Sequence, residues 1–143
     1  EDFQVVHLCG KDKIDNLLLT TSGYKQFEYV KTELKDLFAM ADIVISRAGA
    51  NSICELLALK KPNVLIPLPA ASSRGDQLLN AASFEAQGFS LVINEDDLTT
   101  ELLVAKVHEL FSNRQSYHDA MGRSGQMDSV HTILRLIEEA AQT

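Results

Sequence analysis

Short apolar runs alternate with stretches of helical period along most of this chain. The runs are Gln4–Cys9, Lys25–Val30, Ile43–Ser46, Asn63–Ile66 and Ser90–Ile93. Most are rich in Val and Ile and too short for helices, so they are expected to be strands. In Glu33–Met40 the residues Leu34, Leu37 and Phe38, with Ala41 beyond, fall on one stripe of a helix, and Ile53–Leu59 and Gln77–Gln87 follow as further helices. Gly88 stands where a helix end favours a left-handed residue. Thr99 is placed to cap a helix running through Phe111, with Glu101 in its first turn. A final helix would carry Val130, Ile133, Leu134, Ile137, Ala140 and Ala141 on one face. Pro69–Gly75 reads as a mobile loop and Gly122–Gly125 as a short break.

Strand–helix alternation with buried, non-alternating strands predicts an α/β fold: a doubly wound, Rossmann-like parallel sheet with helices on both faces. Ligands of such sheets bind beyond the carboxyl ends of the strands. Chemistry is therefore expected in the loops after Cys9, Val30, Ser46 and Ile66.

The 143 residues are the usual size of one domain, and 45% hydrophobic with 23% charged residues suits a globular core. The formal net charge of -7, without any Lys/Arg run, argues against a nucleic-acid surface and against an anionic membrane as an obvious partner. No apolar run is long enough to span a bilayer, and no secretory leader stands at the start. Cys9 and Cys54 lack metal or redox spacing and are expected to be buried, reduced thiols, which suits the cytoplasm. The chain opens on Glu and enters a strand almost at once, which is expected of a piece of a longer protein.

The most informative segment is Ala41-Asp-Ile-Val-Ile-Ser-Arg-Ala-Gly-Ala-Asn-Ser-Ile-Cys-Glu-Leu. A strand runs into the small-residue turn Ala48-Gly49-Ala50 and then into a helix. Open amides and the positive end of the helix dipole converge there, and a diphosphate could approach the backbone closely. An ordinary tight turn is the plain alternative. Glu55 has two readings as well. Ser52-Ile-Cys-Glu55 fits a capping box, and an acidic residue at such a place can accept both hydroxyls of a ribose. In Gly75-Asp-Gln-Leu-Leu-Asn-Ala, Asp76 is placed as an N-cap, while Gln77 and Asn80 share a helix face that Ser83 and Gln87 continue. That face either holds sugar hydroxyls or is simply the wet side of an amphipathic helix. His7, His108, His118 and His131 show no metal-ligand spacing, no nucleophile–base order is visible, and no catalytic base, metal or cofactor is predicted.

Taken in order, Ser-Arg-Ala-Gly-Ala with Glu55, then Leu-Lys-Lys-Pro, a strand ending in Pro, and Asp-Gln-x-x-Asn-Ala resemble the MurG family. These are transferases that move N-acetylglucosamine from UDP-N-acetylglucosamine onto the lipid-linked muramoyl-pentapeptide precursor of the bacterial cell wall. The resemblance runs from Val5 to about Ile93. It implies the C-terminal, donor-binding half of a two-domain GT-B glycosyltransferase, residues 1–143 forming one nucleotide-sugar-binding domain without the family's first strand and Gly-rich loop. Carried over by position, Ser46, Arg47, Ala48, Gly49, Ala50 and Asn51 would face the diphosphate through backbone amides. Glu55 would take the ribose hydroxyls, Val30 and Lys31 would read the uracil edge, and Asp76, Gln77 and Asn80 would hold the sugar. The family commonly has an apolar pair at Val30-Lys31, and many members have two amides or His-Gln at Asp76-Gln77.

The implied reaction is attack by an acceptor hydroxyl on the anomeric carbon, with inversion and departure of UDP. The base, the lipid acceptor site and most of the contact with the inner face of the bacterial membrane would belong to an N-terminal domain, making the isolated chain inactive. Rival readings are the small subunit of the eukaryotic lipid-linked N-acetylglucosaminyltransferase, a non-catalytic nucleotide-sugar-binding or interaction module, and a doubly wound domain whose turn binds nothing.

Overall fold

A computed structural model describes residues 3–124. The chain divides between Met40 and Ala41 into two compact units. The first holds β1 (Val5–Leu8), β2 (Tyr24–Phe27) and α1 (Leu34–Met40). The second holds β3 (Val44–Ser46), α2 (Ala50–Ala58), β4 (Asn63–Leu65), α3 (Ala70–Ser73), α4 (Asp76–Ala86), β5 (Ser90–Val92), α5 (Thr100–Ser112) and α6 (Arg114–Gly122). All five expected strands form, four of them within the predicted runs, while β2 starts one residue ahead of its run, at Tyr24. The C-terminal helix expected around Val130–Ala141 lies outside the described residues.

All pairing among the described strands is parallel. In the first unit β1 pairs with β2, Val5 opposite Tyr24 and Leu8 opposite Phe27. In the second the order is β3-β4-β5, with Ser46 opposite Leu65 and Leu65 opposite Val92 at the carboxyl ends. The expected single sheet is thus two sheets, one in each unit.

The two units differ in how much they bury. In the first, Gln26 is the one buried side chain among the described residues, and Val5, Val6 and Leu8 stay exposed. The second has a contiguous core of Val64, Ile66, Ile93 and Leu110, flanked by Ile43, Leu91, Leu102, Leu103 and Tyr117. Burial there pushes the Tyr117 phenol above its ordinary value, with the Glu109 carboxylate adding to the effect.

Helix ends follow backbone chemistry closely. Thr99 caps α5, its hydroxyl accepting from the Leu102 amide at 3.1 Å. Gly88, at φ +72°, closes α4 with paired bonds from the Gly88 amide to Glu85 O and the Phe89 amide to Phe84 O, both 2.9 Å. Lys60, at φ +51°, closes α2 by the same pattern, without glycine's freedom.

Several expectations need correction. Pro69–Gly75 contains the short helix α3 rather than a loop throughout, with Arg74 and Gly75 both left-handed between α3 and α4. Residues Arg114–Gly122 form α6, which the periodicity did not indicate. Cys54 is exposed and Cys9 only half-buried, its thiol donating to Phe27 O at 3.3 Å. The reason at Cys54 is helical phase: Ile53, Leu56 and Leu57 form the buried stripe of α2, and residue 54 falls off it.

At the amino ends of β4 and β5, the fully buried Asn63 accepts from the Ser90 hydroxyl at 2.6 Å and donates to Lys61 O at 2.8 Å and to Phe89 O at 3.4 Å. Every arm of this network is satisfied, so removing one should leave a buried group unpaired. Ser90→Ala is expected to cost about 1–3 kcal/mol in urea denaturation. Gln115→Ala, which breaks an exposed bond to Asp119, should cost less than about 0.5 kcal/mol. Equal costs would show that the buried network does not matter to stability.

Candidate functional site

The proposed ligand-facing residues of the second unit gather at the carboxyl ends of β3 and β4. After Ser46 the chain turns at Ala48-Gly49 and enters α2. Gly49 is the N-cap, at φ -66° and ψ 145°, and makes no side-chain capping bond. The Ile53 amide donates to Gly49 O at 3.0 Å and starts the helical pattern. Among the described residues, the amides of Ala50, Asn51 and Ser52 take no protein acceptor. They are the unsatisfied donors of a helix start, at the positive end of its dipole.

This geometry removes one reading of Glu55. A capping box needs Ser52 outside the helix, but Ser52 is its third residue, so Glu55 lies well inside α2 and caps nothing. Its side chain is exposed. Asn51, Ser52 and Glu55 share one face by helical spacing, with Glu55 about 6 Å along the axis from Asn51.

The turn is braced by side chains that bond to its carbonyls or its neighbours and leave those three amides open. Asn80 Nδ2 donates to Ala48 O at 3.0 Å. The Leu68 amide donates to Gln77 Oε1 at 3.0 Å, and a Cβ at Gly49 would lie 3.9 Å from Gln77 Nε2. The Ser46 hydroxyl donates to Arg47 O at 2.9 Å. Arg47 Nη1 donates to Ile66 O at 3.1 Å and Nη2 to Glu95 Oε1 at 2.7 Å. The amide groups of Gln77 and Asn80, offered to a sugar on sequence grounds, are therefore partly engaged within the protein. Among the described residues, Gln77 Nε2, Asn80 Oδ1 and the exposed Asp76 carboxylate have no hydrogen-bond partner.

Asp76 is not the N-cap of α4. Gly75 takes that position at φ +87°, a conformation that suits glycine, and Asp76 becomes the first helical residue, where its charge favours the dipole. Ser83 and Gln87 close on each other, Gln87 Nε2 donating to Ser83 O and Oγ.

Val30 and Lys31 belong to the first unit, in the loop after β2, Val30 half-buried and Lys31 exposed. The Lys31 amide donates over 3.4 Å to Glu33 Oε2, so one of the backbone groups proposed to read a base edge has a partner. Glu33 is held below the usual carboxylate range by its own backbone amide first, then by the Lys31 amide and the Thr32 hydroxyl. Among the described residues no group of three His, Cys, Asp or Glu could hold a metal. His7 Nδ1 bonds Tyr24 Oη at 2.6 Å and His118 faces Asp119, while His131 lies outside the described residues. Sequence reasoning missed the guanidinium of Arg47 and its partner Glu95. They are 48 positions apart, and no local spacing signals such a pair.

Comparison with known proteins bears out the resemblance drawn from the two motifs. The model of the glycosyltransferase family 28 C-terminal domain matches residues 1–135. The UDP-N-acetylglucosamine--N-acetylmuramyl-(pentapeptide) pyrophosphoryl-undecaprenol N-acetylglucosamine transferase of Lachnoclostridium phytofermentans is 61% identical over 96% of this chain, which covers 39% of that protein. Its namesake in Lachnospira eligens is 56% identical over 97% of the chain and 39% of the relative, and that of Geobacillus thermodenitrificans 52% over 99% and 40%. The chain thus spans about two fifths of the length of these relatives. In fold it is similar to the crystal structure of the glycotransferase of kitacinnamycin, with a TM-score of 0.69 and 23% identity over 82% of this chain and 29% of that one. An α/β fold with parallel strands, an uncapped helix start beyond them and this match place the chain in the glycosyltransferase family 28 C-terminal domain family.

Proposed function

We propose that residues 1–143 form the donor-binding domain of an inverting N-acetylglucosaminyltransferase that takes UDP-N-acetylglucosamine and acts on a lipid-linked peptidoglycan precursor. The observation that carries this reading is the start of α2, where three amides have no acceptor among the described residues and the exposed Glu55 stands about one helical turn beyond Asn51 and Ser52, on their face. Donors spaced along a backbone suit a diphosphate, and a carboxylate one turn on suits the two hydroxyls of a ribose. The names of the relatives supply the donor and the acceptor class.

On this reading the amides from Ser46 to Asn51 hold the diphosphate, Glu55 the ribose, Val30 and Lys31 the uracil, and Asp76, Gln77 and Asn80 the sugar. The acceptor hydroxyl attacks the anomeric carbon from the face opposite the diphosphate. The C–O bond to UDP breaks, and the helix-start donors stabilise the charge left on UDP. The base that takes the acceptor proton and the site for the lipid belong to the part of the longer protein that this chain does not span. That protein acts at the inner face of the bacterial membrane as a peripheral enzyme; no described helix of this chain is long and apolar enough to cross a membrane.

Calorimetric titration of the chain with UDP tests the reading. Half a cleft should bind at roughly 0.1–10 mM and transfer no sugar. Turnover by the chain alone, or no UDP binding up to that range, overturns it.

Glu55→Ala gives a sharper test, because Glu55 is exposed and outside the cap. Stability should move by less than about 0.5 kcal/mol. UDP and uridine should each weaken about tenfold or more, since a charge-assisted bond contributes about 1.5–3 kcal/mol. Unchanged affinity for both would remove Glu55 from the site.

Sugar contact is best tested at Asp76, because replacing Gln77 would also release the Leu68 amide. Asp76→Ala should weaken UDP-N-acetylglucosamine about tenfold while leaving UDP within about twofold. An equal loss for both ligands would place Asp76 away from the sugar.

A further inference from the structure

Arg47 is the one cation in the Ser46–Asn51 segment and would be the obvious side chain to pair with a diphosphate. Its geometry argues otherwise. The guanidinium is already divided between a backbone carbonyl at the end of β4 and the Glu95 carboxylate in the turn after β5. Turning it to a diphosphate would release Ile66 O and leave the Glu95 carboxylate unpaired near a second anion.

Resting on the diphosphate reading above, we propose that Arg47 is a positioning residue. It fastens the β3–α2 turn to the ends of β4 and β5, and so fixes the direction of the Ala48–Asn51 amides toward a nucleoside diphosphate. The side chain ties three successive strand ends together. Asn80 holds Ala48 O from α4, so the turn is gripped on both sides of Arg47–Ala48. Both members of the ion pair are well exposed, at 47% and 36%, so the pair contributes little to global stability. Its effect is local: helix-start donors bind an anion well only where they converge on it.

The test compares Glu95→Gln with Glu95→Ala, and adds Arg47→Met and Arg47→Lys. The two Glu95 variants have the same charge, but only glutamine keeps an acceptor for Arg47. If Arg47 positions the turn, Glu95→Gln binds UDP like the parent or slightly tighter, and Glu95→Ala binds it about five- to tenfold more weakly than Glu95→Gln. Arg47→Met loses about tenfold for UDP but keeps uridine within about twofold, since only the diphosphate amides are misdirected; Arg47→Lys falls between Met and the parent.

If Arg47 instead ligates the diphosphate, both Glu95 variants free it and bind UDP alike and more tightly than the parent. That result overturns the proposal. So does an Arg47→Met chain that loses uridine as much as UDP. Hydrogen exchange of the Ile53 amide, the first bonded amide of α2, separates failure of the brace from failure of the nucleotide reading. It should speed up in Arg47→Met and Glu95→Ala but not in Glu95→Gln, whether or not UDP binds. Unchanged exchange in all variants overturns the brace. Faster exchange in Arg47→Met and Glu95→Ala, found together with a parent chain that does not bind UDP, leaves the brace standing and overturns the donor reading.

Discussion

The start of α2 leaves three backbone donors without an acceptor among the described residues, and the rest of the candidate site is arranged around that fact. Buried donors of this kind are costly, so a chain either caps them or keeps them in reach of solvent or ligand. Gly49 has no side chain to cap them, and Ala50 and Asn51 are exposed. Of the polar side chains nearby, Gln77 has its oxygen taken by the Leu68 amide, and Asn80 and Arg47 donate instead, to Ala48 O and to Ile66 O and Glu95. They restrain the turn and spare its donors. Such a division between bracing groups and open groups is what a preorganised anion site requires.

The parallel sheet decides where this happens. β3, β4 and β5 are short, and their register brings Ser46, Leu65 and Val92 level at the carboxyl ends. The packed core of Val64, Ile66, Ile93 and Leu110 fixes those ends against α5. The polar Asn63–Ser90 network sits at the amino ends, away from the site, where it specifies register without touching ligand chemistry. Glu1–Met40 is built more lightly. A two-stranded sheet with exposed Val5, Val6 and Leu8 has little of the burial that makes parallel strands stable. The proposed base-reading residues, Val30 and Lys31, thus lie in the unit with fewer buried contacts, where local opening costs least.

What the sequence disclosed and what it hid divide along the range of the interactions involved. Strands were legible because Val and Ile runs too short for a helix leave few other choices. Gly88 and Thr99 were legible because caps are local chemistry. The same local logic misread two helix starts. Ser52-x-x-Glu55 has the residues of a capping box, but the turn at Gly49 lets α2 begin before Ser52 is reached. Asp76 looks like a cap, but Gly75 reaches a left-handed conformation and takes the position first. α6 was missed because Tyr117 and Met121 are its main inward apolar residues, too few to show a period. No sequence pattern announces that Arg47 finds Glu95, since that contact exists only once β3 and β5 are aligned through β4.

The charge balance sharpens the chemical reading. The chain carries a net charge of -7 and is proposed to hold an anion, and the cation in the turn between β3 and α2 is already paired with Glu95. Attraction then rests on amides and the helix dipole rather than on a mobile ammonium or guanidinium. Fixed neutral donors discriminate by charge density. The diphosphate of a nucleotide sugar is esterified at both ends, and on bond cleavage the departing UDP gains a negative oxygen. Donors that do not move stabilise that added charge more than they stabilise the esterified ground state, and this difference is what lowers a barrier. A flexible cation would follow the ligand and favour both states more evenly. On the proposed reading, holding the donors still while leaving them unpaired would be this domain's physical contribution to departure of the nucleotide, and the bracing side chains would matter to it as much as the amides.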